Sequence, residues 1–487
     1  MKKSRASRFP VLPFGFILAP ALIILRAAVA APPYLEIDST RQLFLDDRLL
    51  DTLGGVVLHL HTPQYQGTVL QFDKPWEGRY SGYVTVLFAE GRYRMYYRGL
   101  PTSGQDGSSV ECTCYAESRD GLVWEKPSLG LFEVAGTKEN NVVLGGMPPF
   151  SHNFAPFYDT KPGVPPEQRF KALAGLEKTG LHAFVSTDGI HWTRLQDEAV
   201  IRAEGLDSQN VAFWSDAERV YVCYYRYWTP EGYRSIARTT SADFVTWTPG
   251  EPMRFGGAPL EHLYTNQTVP YFRAPHIYVS LASRFAPMRR VLSEKQIQAL
   301  GVEDNYAHDL SDVVLMSSRG GNEYARLFLS SFVRPRIGPE HWTSRSNYAA
   351  CGIVPTSEEE ISFYVQEAYA LPTARLARYS LRTDGFVSIR APYAGGAFTT
   401  KPLIFTGTQL YLNFSTSAVG GIRVECEDEE GAPLPGYSLA DAVELVGNAL
   451  DEPVRWVHGA DWSPLSGKPI RLRFVMRDAD LYSFQFR

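Results

Sequence analysis

The stretch Ser186-Thr187-Asp188-Gly189-Ile190-His191-Trp192 has four relatives along the chain. They are SRDGLVW (118–124), SADFVTW (241–247), SSRGGNEY (317–324) and RTDGFVSI (382–389). Each follows one strand-like run and precedes another. Asp-Gly is a strong hairpin signal, because both turn residues tolerate positive φ. The Ser or Thr two residues earlier is placed to bond the turn backbone, and the Trp to cover the hairpin. The motif reads as a structural staple, and five staples predict five related units.

Working back from each staple finds further strands. The second unit has HNFAPFYD (152–159), RFKALAGL (169–176) and LHAFVST (181–187), and the third has DSQNVAFW (207–214), RVYVCYYR (219–226) and YRSIARTT (233–240). The first, fourth and fifth units show the same pattern from Tyr80, Tyr264 and Asn347. With the strand after the turn, each unit has four antiparallel strands, and five such units make an all-β, five-bladed β-propeller. The segment 291–304, VLSEKQIQALGVED, is a helix-like insertion in the fourth blade that is expected to border the mouth of the central pocket. The blade pattern stops near Ala394. The strands that follow (QLYLNFSTS, GIRVECED, VRWVHG, IRLRFVMRD) predict a β-sandwich over 395–487 after a propeller over 31–394. The acidic run at 427–430 fits a solvated hairpin tip, since its spacing lacks the alternation of an EF-hand loop.

Residues 1–30 have the pattern of a secretory signal: a basic start, the apolar run VLPFGFILAPALIIL (11–25) and a small-residue site at 28–30. The chain is therefore expected to be secreted or periplasmic, with no membrane partner after cleavage. A formal net charge of −5 gives no electrostatic case for nucleic acid. Five cysteines have no zinc-ribbon spacing; Cys112 and Cys114, two apart on a strand, are expected to pack on one face. His59 and His61 share a strand face without a third ligand, and no phosphate loop or GxSxG elbow occurs, so neither metal nor cofactor is expected.

A propeller followed by a β-sandwich resembles glycoside hydrolase family 32 and its relatives, and the blades resemble families 43, 62, 117 and 130. The chain is also similar to exported bacterial propeller proteins that share LFLDDRLL, SRDGLVWEKPSLGLF and GKPIRLRFVMRDADLYSF. The resemblance implies three acids from successive inner strands lining a central funnel, and an oligo- or polysaccharide partner. The sequence departs from family 32 in lacking a WMNDPNG-like opening and an RDP motif. Its Glu111-Cys112 pair stands in the first blade rather than the third, so fructan specificity is not supported.

Blade geometry nominates the funnel residues directly. If each inner strand starts at the mouth, antiparallel order brings the end of the second strand and the start of the third to the same end. Those places hold Tyr80, Arg98 and Glu111; His152 and Asn153; Asp207, Gln209, Asn210 and Arg226; Glu261, His262, Tyr264, Asn266 and Arg284; and Arg345, Asn347 and Glu367. Glycoside hydrolysis needs one protonated and one ionised carboxyl. Asp207 and Glu261 open neighbouring inner strands and are the first pair, with Glu111 and Glu367 in reserve. A salt bridge to a nearby arginine is the competing role for each. Arg98, Arg226 and Arg284 end second strands and suit an anionic ligand, or structural pairing with those acids. The expected function is glycoside hydrolysis; a non-catalytic carbohydrate-binding propeller and a glycoside phosphorylase are the alternatives. Asp46 and Asp47 in LFLDDRLL are expected in a ring-closing strand.

Overall fold

A computed structural model describes residues 34–459 and 461–487, so the signal-like segment at 1–30 lies outside the described residues. Among the described residues no helix is long and apolar enough to cross a membrane.

Five antiparallel sheets form the blades. The first three have four strands each, running outward in chain order. They comprise Gly82–Ala89, Arg92–Gly99, Cys112–Ser118 and Val142–Gly145; then Ala155–Tyr158, Phe170–Ala174, His182–Ser186 and Thr193–Arg194; then Val211–Ser215, Val220–Trp228, Arg234–Ser241 and Glu251–Pro252. In the fourth blade the inner strand is broken into His262–Thr265 and Thr268–Tyr271, both paired with Ala274–Ala286, which in turn pairs with Leu310–Ser318. The fifth is broken likewise, into Tyr348–Ala349 and Val354–Pro355, both paired with Glu360–Glu367. At that break Gly352 has φ +119, and a Cβ there would lie 1.9 Å from the Val86 carbonyl. Only glycine lets the fifth inner strand approach the first so closely.

Closure of the ring differs from expectation. The outer strand of the fifth blade is Gln64–Gln71, from near the start of the described chain, paired with Arg375–Arg382. Asp46 instead takes an ion pair from Arg319 (Nε to Oδ2 2.6 Å), and the Leu45 carbonyl accepts from Ser317 Oγ at 2.8 Å. LFLDDRLL therefore braces the fourth blade rather than closing the ring.

The C-terminal strands Gly396–Thr400, Leu410–Glu427, Asn448–Pro453 and Arg471–Phe486 belong to an eight-stranded sheet. Gln42–Leu43, Leu50–Gly54 and Val57–Leu60 pair into this same sheet, with Val387–Ala391. The segment 35–60, read from sequence with the propeller, is thus hydrogen-bonded to C-terminal strands. One apolar core, including Phe44, Leu281, Phe363, Phe398 and Phe474, joins the fourth and fifth blades to this sheet.

The staples have a specific role. In the second blade Asp188 Oδ1 accepts from the backbone N–H of Ile190 and His191 (2.8 and 2.9 Å), Ser186 Oγ accepts from Gly189 N–H (2.9 Å), and Trp192 Nε1 donates to the Gly189 carbonyl (3.0 Å). The first and third blades repeat these bonds around Asp120 and Asp243. Each closed turn then docks on the preceding blade. Tyr96 of the first blade donates to Gly189 (2.9 Å), Tyr364 of the fifth donates to Gly121 (2.6 Å), and Phe157 of the second packs on Phe244 with ring centroids 5.5 Å apart. The fifth staple is repurposed. Asp384 is fully buried and accepts from Tyr271 Oη (2.7 Å), Ser483 Oγ (2.7 Å), Asn413 Nδ2 (3.1 Å) and Arg41 Nη1 (3.3 Å), tying fourth blade, fifth blade and C-terminal sheet together.

All five cysteines are buried free thiols, with the Cys112 and Cys114 sulfurs 3.6 Å apart on one strand face, as their spacing predicts.

Candidate functional site

The ends of the blades at which the inner strands begin converge on one funnel. His152 of the second blade is its hub. Its Nδ1 lies 2.9 Å from Glu111 Oε1 of the first blade, and its Nε2 3.1 Å from the Asp207 carbonyl of the third. Both ring nitrogens thus face oxygen acceptors. Tyr83, between the same blades, donates to the Asp207 carbonyl (3.3 Å) and packs edge-on against His152 (centroids 5.6 Å). Arg98 stacks over Tyr83 at 4.8 Å and donates to the Tyr80 carbonyl (2.9 Å) and Tyr369 Oη (3.2 Å), reaching the fifth blade. Burial opposes the Arg98 charge, but Tyr369, Glu111 and Asp106 around it hold its pKa above the usual value.

Below the mouth the axis is plugged by amides. Gln267 Nε2 donates to Gln209 Oε1 (2.7 Å) and to the Ala349 carbonyl (3.0 Å), while Gln209 Nε2 donates to Thr85 Oγ1 (2.9 Å). Gln209 is therefore an axial tie, and a ligand in the funnel meets a closed polar floor.

The four nominated carboxylates fare differently. Asp207 ion-pairs with Arg226 and keeps 53% of its side chain exposed. Glu111 is 0% exposed, held by His152 and by the Gly107 N–H (2.8 Å). Glu367 is also 0% exposed, clamped by both Arg336 donors (2.9 and 2.8 Å) and Arg375 Nε (3.1 Å). Burial opposes its charge, yet Arg336 and the neighbouring cations hold its pKa below the usual carboxylate range. Glu261 lies between Arg284 and Arg326, and shares no partner with Asp207. It lines a separate cleft with His262, Arg284, Asp312 and Trp342. The Asp207–Glu261 pairing drawn from strand order thus gives way to two arginine-paired acids, because each carboxylate bonds the guanidinium at the end of its own second strand.

The arginine trio resolves in the same way. Arg98 faces Glu111 and Asp106, Arg226 faces Asp207, and Arg284 holds Asp312 in a fork (2.8 and 2.6 Å). Structural pairing accounts for all three. Asn153, Asn210, Asn266 and Asn347 are buried and spend their side chains on backbone. Asn153 bonds the Leu206 and Ser208 carbonyls (2.7 and 2.9 Å), Asn210 the same two (2.9 and 3.0 Å), Asn266 Oδ1 the Thr268 N–H (3.0 Å), and Asn347 the Ser311 and His341 carbonyls (3.1 and 3.0 Å). Tyr80 is buried with its hydroxyl on Glu303, and burial together with that carboxylate pushes its pKa up to about 12. Glu303 lies near the end of the insertion, whose helix Glu294–Leu300 starts at a Ser293 capping box and stops at Gly301. Tyr306, just beyond, packs on Tyr80 (5.3 Å) and Tyr369 (5.7 Å), so the insertion borders the mouth as expected.

Besides Tyr83, two further residues at the mouth, Asp106 and Arg234, escaped the sequence reading. Asp106, in the turn-rich loop before Glu111, is 50% exposed, with Oδ1 3.4 Å from Arg98 Nη1 and 3.8 Å from His152 Nδ1. No periodicity marks that loop. Arg234 stands at the start of a third strand, where the same geometric rule would have found it. Its guanidinium stacks on Trp228 (4.5 Å), Phe285 (4.9 Å) and Tyr264 (5.2 Å). Arg345 approaches Tyr264 from the fifth blade (6.0 Å) and also faces Tyr306 and Tyr369 (5.5 and 5.8 Å). Tyr83, Arg345 and Asn347 all hold positive φ (50°, 59° and 64°). Such strain in residues other than glycine clusters at functional sites.

Asp106, Glu111 and His152 place one potential metal-ligating atom each within 4.8 Å of one another. Arg98 Nη1 stands 3.3 to 3.8 Å from all three of those atoms, so a guanidinium already sits against the cluster and offsets part of its negative charge. The donor set does not favour a cation.

No protein-family model and no curated protein matches the sequence. The chain is similar to several solved structures. One is described as a glycoside hydrolase (13% identity, 68% of this chain and 95% of that one, TM-score 0.44). Another is an N-acetylgalactosamine deacetylase from F. plautii in complex with blood group B trisaccharide (14%, 69% and 96%, 0.43). A third is a β-1,2-mannobiose phosphorylase from Listeria innocua in complex with β-1,2-mannobiose (10%, 63% and 90%, 0.38). At these scores the likenesses carry no argument about chemistry, and the five blades rest on the strand pairing itself.

Proposed function

We propose that this propeller is a carbohydrate-active enzyme, a glycoside hydrolase that works at the funnel mouth. The observation that carries the reading is that two residues with half-exposed carboxylates converge on buried His152: Asp106 Oδ1 lies 3.8 Å from its Nδ1, and the Asp207 backbone carbonyl lies 3.1 Å from its Nε2. Hydrolysis requires two carboxyls, about 5 to 9.5 Å apart across its two mechanisms, that a sugar can reach. Glu111 and Glu367 are too enclosed to serve, and Glu261 belongs to another cleft. Asp207, ion-paired with Arg226, takes the ionised role of attacking or activating water, and Asp106 is the second carboxyl. Tyr83 and Tyr264 wall the funnel, and Trp228, 42% exposed at its rim, offers a face for stacking on a sugar ring.

Export, inferred from residues 1–30, agrees with a polysaccharide substrate outside the cytoplasm. A non-catalytic binding propeller is the second reading, favoured by the arginine pairing of most funnel acids. Incubating purified mature protein with a polysaccharide panel, with and without inorganic phosphate, and following product anomers by NMR separates the readings. New reducing ends without phosphate support hydrolysis. Phosphate-dependent sugar phosphates would show phosphorolysis, and binding without products would show a lectin-like role.

A further inference from the structure

The cations that the sequence nominated for an anionic ligand are all paired, whereas two others at the same mouth are not. Among the described residues the side chains of Arg234 and Arg345 make no ion pair and no hydrogen bond with the protein, and Arg234 Nε is buried without a partner. Both guanidinium groups lie against the Tyr264 ring, at 5.2 and 6.0 Å from its centroid. Asp309, whose charge reaches Arg234, is already engaged by the Met288 N–H (2.9 Å) and Ser344 Oγ (3.4 Å). Aromatic faces compensate a half-buried cation only in part. A guanidinium also offers five donors in a planar fork that matches carboxylate and sulfate oxygens. Leaving two such forks unsatisfied beside one ring costs stability and is understandable if an oxyanion completes them.

We propose that Arg234 and Arg345 form an anion subsite in the funnel, and that the saccharide bound there is acidic, bearing a carboxylate or sulfate held between the two forks. This rests on the reading of the funnel as a carbohydrate site and specifies its substrate class. The Arg234 backbone N–H donates to His262 Nδ1 (3.1 Å), and His262 lines the neighbouring cleft with Arg289 and Arg334, which also lack an acidic partner among the described residues. A chain with repeated anionic groups could thus run from the funnel into that cleft.

Calorimetric titration of the full mature chain with four probes tests the idea: an oligogalacturonide, a sulfated galactan oligosaccharide, a neutral galacto-oligosaccharide and inorganic phosphate. One or both acidic saccharides should bind at least about tenfold more tightly than the neutral one, the smallest change expected for losing one charge-assisted hydrogen bond. R345M and R234M should each abolish that preference without lowering the melting temperature. R345K should recover only part of it, because a point charge lacks the fork. The carboxylated or sulfated probe that wins identifies the anion. Equal affinity for acidic and neutral probes would overturn the subsite while leaving the carbohydrate reading intact. Phosphate binding as tightly as either acidic saccharide would also overturn it, since the anion would then not belong to the sugar. Failure of every saccharide to bind would remove both proposals.

Discussion

The hydroxyl of Tyr96 in the first blade donates to the carbonyl of Gly189, the turn glycine of the second blade, across 2.9 Å. Tyr364 of the fifth blade does the same to Gly121 of the first. The repeated Ser-x-Asp-Gly-x-x-Trp turn is thus a fastener between neighbouring blades, built by its own Asp and Ser and read by a tyrosine next door.

Replacing Tyr96 or Tyr364 by Phe removes one buried bond and leaves a carbonyl short of a donor. Each change should lower unfolding stability by about 1 to 2 kcal/mol. Urea denaturation measures this, and sugar binding per folded molecule should be unchanged. An unchanged midpoint would mean that the turns are not fastened through these hydroxyls.

The staple acids confer a pH dependence with a definite sign. Burial opposes the Asp188 charge, but the His191 and Ile190 N–H groups and the His191 side chain outweigh it and lower its pKa from 3.8 to about 2. For Asp243 the Thr246 N–H is the largest influence, again giving about 2. A depressed carboxylate stabilises the fold fully above its unfolded pKa, and that contribution is lost as pH falls through the folded value. The stability gap between wild type and the D188N/D243N double variant should therefore be constant above about pH 5 and close between about pH 4 and 2. A gap that persists at pH 2 would show that the carboxylate charge is not what holds these turns.

At Asp384 the same motif has become a buried junction. Arg41 and Arg273 face its carboxylate at 3.3 and 3.4 Å. D384N leaves both cations without their full counter-charge and should cost about 3 kcal/mol or more, the range for breaking a buried pair. Removing residues 395–487 would be more severe. It strips the sheet partners from strands in 35–60 and bares the shared core, so the truncated chain should aggregate on expression. A soluble, sugar-binding fragment ending near Tyr393 would show that the propeller stands alone.

Much of the architecture was legible because it is written locally. Each staple, its strands and the Ser293 capping box are set by residues within one or two turns of each other, so five blades and the short helix follow from spacing. Ring closure by Gln64–Gln71 and the entry of 35–60 into the C-terminal sheet depend on partners more than 300 residues away, which no local pattern announces. The strand-end rule nominated Arg98, His152, Asp207, Tyr264 and Arg345, whose contacts with Tyr83, Arg226 and Tyr369 link them in the structure. It did not reveal side-chain pairing, so Glu261 and Glu367 were ranked by position although arginines had already claimed them. Asp106 lies on a loop whose conformation is set by Glu111 and Gly107, a contact visible only in three dimensions.

The most direct test of the funnel as a hydrolytic site is the turnover of D207N on whichever polysaccharide the wild type cleaves, measured beside its melting curve and its affinity for that polysaccharide. Asn is nearly isosteric but cannot act as an ionised base or nucleophile. The expected result is a fall in kcat of at least about 10²-fold, the low end for general acid–base catalysis, with melting temperature and binding retained. Turnover within a few-fold of wild type by a folded D207N protein would contradict the assignment and place the chemistry elsewhere.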